Sequence, residues 1–253
     1  MEGTIEFPLF TKIRGGVLEL KGFFMDAKMM ESLEKYIEQG FSMGKTPKDR
    51  MVQHLIVDGC NYRDAEFAAI LGAVTNHKQL KSISYSNNGF GEKSLAALEH
   101  ALAHCAELDT ILISDLKIEN IYRSGTDEEG KKQSIEQKPI EDRGFILEHF
   151  LRTLTELGSN IKKVKLCNLD LNNERIQRQL LHFLSLEKGL VDLDISFCKI
   201  QASQLVKIGA TLLQFGNRLK HINLSYINVD GQDNIVRLRK KRMKRTHYIA
   251  DFI

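Results

Sequence analysis

The chain has 253 residues, 42% of them apolar, with no tryptophan, only 3 prolines and a formal net charge of +3. That length allows one or two compact domains and a sizeable core, and the small charge argues against a chain that binds polyanions over its whole surface. No run of 18 apolar residues occurs, so no membrane span is expected, and the start MEGTIEFPLF lacks the charged-then-apolar layout of a secretion signal.

In chain order, the first patterned segment is GGVLELKGFFM, where Leu18, Leu20, Phe23 and Met25 form a weak apolar series. Met30, Leu33 and Ile37 follow at helical spacing. From residue 52 the pattern becomes periodic. Its first apolar slot falls at Val52, Leu80, Leu108, Ile161, Leu190 and Leu219, with gaps of 28, 28, 53, 29 and 29. Each unit reads apolar-x-x-apolar-x-apolar-x-x-(Asn, Cys or apolar)-x-apolar, most clearly as Leu80, Ile83, Tyr85, Asn88 and Phe90. The apolar pair at the fourth and sixth slots alternates with period two, which predicts a short strand with one buried face. A helical stripe follows: Phe67, Ile70, Leu71 and Val74 in one unit, and Leu95, Leu98, Ala101 and Leu102 in the next. Phe145, Ile146, Phe150, Leu151 and Leu154 supply another, and Leu205, Ile208 and Leu212 the last.

One strand–helix pair cannot bury its apolar side alone, whereas stacked pairs can. The expected fold is therefore α/β: a solenoid of about seven repeats with a parallel β-sheet on the concave side and helices on the convex side. These units resemble leucine-rich repeats of the long, helix-bearing, ribonuclease-inhibitor-like family, over roughly residues 13–246. The resemblance implies a horseshoe that binds proteins, in a family that includes inhibitors, small-GTPase regulators, innate sensors and cytoskeletal proteins. The chain departs from that family at the ninth slot. Only Asn88, Cys60 and Cys198 have the usual residue types; Phe23, Leu116, Leu169 and Ile227 are apolar. An apolar side chain cannot satisfy backbone groups inside the turn, so some irregular turns are expected.

Two regions break the pattern. The 53-residue gap contains about 24 residues beyond one repeat, near 119–142, charged and poor in large apolar residues; they read as a surface loop inserted in a single domain spanning 1–246, either merely tolerated or ordered by a partner. The segment 237–245 holds seven basic residues in nine: Arg237, Arg239, Lys240, Lys241, Arg242, Lys244 and Arg245. It stands where a closing helix is expected. It reads as a solvated cap, as a site for an acidic partner, or as a nucleic-acid or anionic-membrane contact; the run has no interleaved aromatics for base stacking. Residues 247–253 form an apolar C-terminal tail.

Searches for chemistry end without a site. Gly40 to Thr46 has three residues between its glycines where a phosphate loop needs four, and it follows a helix. His100 and His104 share a helix face, but Ala101 stands where a zinc-protease motif needs Glu. Asp192 and Asp194 share a strand face and suit a cation or a basic partner as well as catalysis. No nucleophile elbow occurs. Cys60, Cys105, Cys167 and Cys198 lack a CxxC spacing and are expected as reduced thiols in a cytoplasmic protein, with Cys167, on the outward strand face, the most accessible.

The third, fifth and seventh slots point outwards. They give a partner-binding face containing His54 and Asp58, Ser84 and Ser86, Lys163 and Lys165, Asp192 and Asp194, and His221 and Asn223, with Phe197 and Tyr226 in eighth slots as aromatic anchors. The expectation is a non-enzymatic protein-interaction scaffold without metal or cofactor. By analogy with the resembled family it is a subunit of a cytoskeletal or ciliary assembly. The alternatives are a regulator of a small GTPase, for which no arginine is marked out, and a nucleic-acid-associated protein working through 237–245.

Overall fold

The computed structural model describes residues 13–22, 24, 26–38, 51–118, 141–186, 189–215, 219–229 and 235–239. The main sheet takes its strands almost in chain order: β1 (Ile13–Arg14), β2 (Val17–Lys21), β3 (His54–Asp58), β4 (Ser82–Ser86), β6 (Thr110–Ser114), β8 (Lys163–Cys167), β9 (Asp192–Asp194) and β11 (His221–Val229). From β2 to β11 every neighbouring pair is parallel. The register follows the repeat slot by slot: Leu55 pairs with Ile83, Ile83 with Ile111, Ile111 with Val164, and Val164 with Leu193. The 53-residue interval between β6 and β8 leaves that register intact.

A helix follows nearly every strand of the series: α1 (Ala27–Glu38), α2 (Asp64–Thr75), α3 (Glu92–His104), α4 (Glu141–Leu157), α5 (Glu174–Ser185) and α6 (Ala202–Phe215). Each packs on the next. One continuous core lies between sheet and helices, holding the fourth- and sixth-slot side chains together with Phe67, Ile70, Leu98, Phe150, Leu180 and Ile208. The molecule is thus an α/β solenoid of broadly leucine-rich-repeat kind. Phe145, expected in the inner stripe of α4, is instead exposed, with its ring against His149.

Short strands also form beside the main series. β5 (Gly89–Phe90) pairs with β7 (Lys117–Ile118), and β10 (Lys199–Ile200) pairs with the far end of β11. Both ends of the parallel sheet are closed by antiparallel strands. At one end β1 folds back on β2 through Gly15 and Gly16, whose φ values of 59° and 79° suit a tight two-residue hairpin. At the other, β12 (Ile235–Arg239) lies antiparallel on β11. This strand stands where the sequence leads one to expect a closing helix. The last parallel strand leaves a row of unpaired amides and carbonyls, and Ile235-Val236 with alternating Leu238 is better suited to a strand than to a helix. Residues 119–140, 240–253 and the stretch Gly40–Thr46 lie outside the described residues.

The eighth-slot corner has the same handedness in every unit. The eighth-slot residue adopts the left-handed conformation in all seven units: Gly22 at φ 56°, Gly59 at 60°, Asn87 at 57°, Asp115 at 54°, Asn168 at 53°, Phe197 at 61° and Tyr226 at 59°. In each of the first six its N–H donates to the seventh-slot carbonyl of the following unit, from Gly22 to Asp58 at 2.9 Å through to Phe197 to Ser225 at 3.0 Å. Asn88 does the work expected of a ninth-slot Asn, accepting from the Tyr62 N–H and donating to the Ser86 carbonyl. Cys60 and Cys198 donate their thiols to the carbonyls of Leu20 and Leu166. Units with Leu116 or Leu169 in that slot keep the same corner, pinned by the backbone bonds from Asp115 and Asn168 to the neighbouring unit. In the unit with Ile227 the pairing of β11 with β12 shifts register between Ser225 and Ile227, so the irregularity expected of an apolar ninth slot occurs there; Phe23 lies outside the described residues.

Candidate functional site

The open face of the sheet carries the third-, fifth- and seventh-slot side chains, most of them half-exposed, while the intervening residues are buried. Parallel stacking in register places like slots side by side, so each row is a ladder of neighbours one strand apart. In the row that begins with His54, its Nδ1 lies 2.7 Å from the Ser82 hydroxyl. In the seventh-slot row Asp58 accepts from Ser86 at 2.7 Å and from Asn87 at 2.8 Å, and these bonds hold its carboxyl below the ordinary range. Ser84 sits half-exposed at the centre of this polar stretch, between Ile56 and Leu112.

The character changes at β8. Lys163 is exposed and Lys165 half-exposed, and their partners across the ladder are Asp192 and Asp194. Such opposite charges would ordinarily pair. Asp194, however, turns its oxygen to the Ser196 N–H at 3.0 Å and to the Cys167 thiol at 3.2 Å. Burial pushes the Asp194 carboxyl up, but bonds from Ser196, Cys167 and Asn223 outweigh it and hold the group below the usual range. Neither Lys163 nor Lys165 makes an ion pair with another described residue.

Cys167 corrects an expectation. It occupies an outward slot, yet is only 5% exposed. The neighbouring Asp194 and Ser196 close over it, with the Ser196 hydroxyl at 3.3 Å, and burial pushes the thiol up to about 11. All four cysteines are free and buried, and Cys198 is pushed up to about 12, again chiefly by burial. A thiolate nucleophile near neutral pH is not what these environments favour.

Beside Lys165 the surface dips. An open depression of about 370 Å³ is lined by Ser114, Asp115, Lys165, Cys167, Asn168, Ser196 and Phe197. The amide of Asn168 donates to Asp115 across its floor. On its rim the Phe197 ring stacks on Tyr226, with centroids 4.8 Å apart and planes 11° from parallel. Phe197 is 53% and Tyr226 39% exposed. The structure therefore brings Lys165, Asp194 and Phe197 into one neighbourhood, and leaves His54, Asp58, Ser84 and Ser86 in another. His221 is exposed beside Asp192, and Asn223 caps the Ser225 N–H. Arg237 and Arg239 belong to β12; Lys240, Lys241, Arg242, Lys244 and Arg245 lie outside the described residues.

The sequence did not mark the depression or the stacked pair as a unit. A signal was present all the same: five of seven eighth slots hold Gly, Asn or Asp, the residues that tolerate positive φ, and the last two hold aromatics. Elsewhere, His100 and His104 lie together on the exposed side of α3, their ring centroids 4.0 Å apart and their planes tilted by 35°. No group of three or more His, Cys, Asp or Glu residues placed to hold a metal occurs among the described residues. No helix among them is long and apolar enough to cross a membrane.

No protein-family model matches the chain, and no curated protein matches it. Among solved structures, it is similar to the tropomodulin C-terminal domain from Caenorhabditis elegans, at 11% identity and a TM-score of 0.49, over 75% of this chain and 94% of that one.

Proposed function

We propose that the chain is a non-enzymatic protein-interaction module, a subunit of a larger intracellular assembly, that presents the open face of its sheet to a protein partner. The observation that supports this reading is the row structure of that face. It offers in-register outward side chains over six consecutive parallel strands, β3 to β11, polar at one end and charged with an aromatic rim at the other. Such a surface holds its groups at fixed spacing on a rigid core, so little ordering entropy is lost when a partner docks. The alternation of Lys163 and Lys165 with Asp192 and Asp194 gives orientation to an encounter more than raw affinity.

The test is affinity purification of the tagged chain from its own cells, in parallel with two variants that add the same side chain to opposite faces. Ser84→Arg plants a long cation in the middle of the open face, and Ala96→Arg plants it on the exposed side of α3. Co-purifying proteins that survive nuclease, are lost with S84R and are kept with A96R are the expected result. Loss with A96R alone would move the site to the helices. Recovery dominated by nuclease-sensitive material, lost when Arg237 and Arg239 are neutralised, would replace the reading with a nucleic-acid role.

A further inference from the structure

We infer that the outer flank of the last helix, α6, built on Val206 and Leu213, is a docking surface for the chain's own C-terminal segment, residues 240–253. The inference stands apart from the open-face reading, since α6 belongs to the helix layer on the other side of the core.

The first support is a departure from the repeat. The inner stripe gives the helices from α2 to α6 a common frame, whose first buried position is Phe67, Leu95, Leu147, Gln177 and Leu205 in turn. The positions one and eight residues later share a flank, with the position four residues later between them. They hold Ala68 and Thr75 in α2, Ala96 and Ala103 in α3, Glu148 and Thr155 in α4, and Arg178 and Ser185 in α5, all small or polar. Of these five helices α6 alone has large apolar residues at both. They are Val206 and Leu213, 68% and 59% exposed.

The second support is direction. The middle of that flank faces the next helix. In α3 it is Glu99, which accepts from the Thr153 hydroxyl at 2.9 Å and meets His149 at 3.0 Å, both on α4. In α6 it is Gly209, where an added Cβ would meet nothing within 4 Å. Each earlier helix packs on its successor. After α6 the chain forms β11 and then the antiparallel β12, and no further helix occurs among the described residues. The end of a solenoid needs a polar or a covered outer face. Val206 and Leu213 make this one apolar, where a seventh helix would lie.

The third support names what covers it. β12 runs back along β11, and its last residue, Arg239, pairs with Asn223 near the start of β11. Only the connection 216–220 separates that start from the end of α6 at Phe215. The segment that begins at Lys240 therefore leaves beyond β11, at the end of the sheet where α6 finishes. Residues 240–247, fully extended, would reach up to about 26 Å, whereas Val206 and Leu213 are about 10 Å apart along the helix axis. Beyond this polar, basic stretch Tyr248 and Phe252, and Ile249 and Ile253, recur at i and i+4 in adjacent rows. That spacing suits one apolar face of a helical turn, which is what the bare flank of α6 lacks opposite it.

The test uses the full chain. All four native cysteines are buried, so a thiol introduced by Ala210→Cys, between Val206 and Leu213 on the exposed side of α6, is the reactive one. Ala96→Cys on α3 is its control. The C-terminal segment is altered by replacing Tyr248, Ile249, Phe252 and Ile253 together with Ser. Maleimide labelling of A210C is expected to be at least about fivefold slower with the native segment than with the altered one, as for a tethered segment at high effective concentration. A96C is expected to label equally in both. The chain has no tryptophan, so Phe252→Trp gives the reciprocal reading. Its emission is expected to lie to the blue of the same chain carrying V206S and L213S, whose side chains stand outside the core. Equal labelling of A210C with either segment, or Phe252→Trp emission unmoved by V206S and L213S, would overturn the inference. Protection of A210C that grows with protein concentration would assign the flank to a second copy and overturn it too. So would slowing of A96C to the same degree as A210C, which would make the segment a general shield.

Discussion

The middle of the solenoid and its last two units use aromatic residues in opposite ways. In the middle, Phe67 stacks on Tyr85 at 3.6 Å, and Phe90 meets Phe150 edge to face at 6.2 Å; all four are at most 1% exposed. In the last two units Phe197 and Tyr226 also stack, with centroids 4.8 Å apart, but stand outside, at a corner that favours Gly or Asn. The first group sits where the repeat wants bulk and fills the space between sheet and helix. The second sits where the repeat wants none. An exposed ring recovers little of the burial free energy that anchors a core aromatic, so the same residue type carries the core in one place and adds little to it in the other.

The strongest way to break this comparison is to truncate one ring from each group. Phe90→Ala removes a fully buried ring from a packed cluster and is expected to cost about 3–5 kcal/mol, enough to threaten folding. Phe197→Ala is expected to cost well under 1 kcal/mol, as is usual for exposed positions. Urea unfolding of the two variants reads the difference directly. Equal losses would mean that the outer pair is part of the core and that its exposure has been misjudged.

The next effect sharpens what holds the middle units together. Helix α3 begins after Gly91, which has no side chain to cap it. Asp64, one unit earlier, supplies the cap: its carboxylate accepts from the N–H groups of Gly91 at 2.8 Å, Lys93 at 2.9 Å and Ser94 at 2.7 Å. A Cβ at position 91 would lie 2.8 Å from that carboxylate, so the glycine makes room for it. Asp64→Ala is expected to lower stability by about 1–2 kcal/mol, and Asp64→Asn by less. An unchanged urea midpoint for D64A would show that the contact is incidental.

The solenoid was legible in the sequence because its periodicity is one-dimensional: the slots at 52, 80, 108, 161, 190 and 219 became neighbouring strands without any knowledge of long-range contacts. The features that were not legible depend on what lies across the ladder. Cys167 has an outward slot and is buried by Asp194 and Ser196, 27 and 29 residues later. The Asp64 cap crosses between units in the same way. β12 could not be told from a capping helix because its basic residues suit either, and the choice is made by the open edge of β11. The outward face was legible as a set of positions and not as an arrangement of bonds, since the register sets Lys165 opposite Asp194 while Asp194 bonds instead to Ser196 and Cys167.

A smaller effect is read by pH. Asp194 has its folded-state carboxyl held below its ordinary 3.8. A group lowered on folding contributes stability that is complete above the unfolded value and is lost as pH falls through the folded one. Stability should therefore decline below about pH 4. Asp194→Asn should flatten part of that decline, by about 1 kcal/mol or less for a partly exposed carboxylate. Asp58, held low by Asn87 and Ser86, adds in the same direction. Denaturant midpoints between about pH 5 and 2.5 are the measurement; an acid limb as steep in D194N as in wild type would remove Asp194 from the account.

The smallest effect bears most directly on why the outer pair exists. Replacing Phe197 by Asn relieves part of a left-handed strain of about 1–2 kcal/mol and gives up an exposed ring stack of about 0.5–1.5 kcal/mol. The two nearly cancel, and the expected outcome is a chain as stable as wild type or more stable by about 0.5 kcal/mol. Tyr226→Asn is the less simple case: its φ of 59° is close to the 61° of Phe197, but Tyr226 lies within β11 where the pairing with β12 shifts register. Single variants compared by chemical denaturation, and the double variant with both, give the coupling between the rings. A gain or no change would show that the pair contributes nothing net to folding. A loss of more than about 1 kcal/mol in either single variant would mean that the stack itself holds the last two units together.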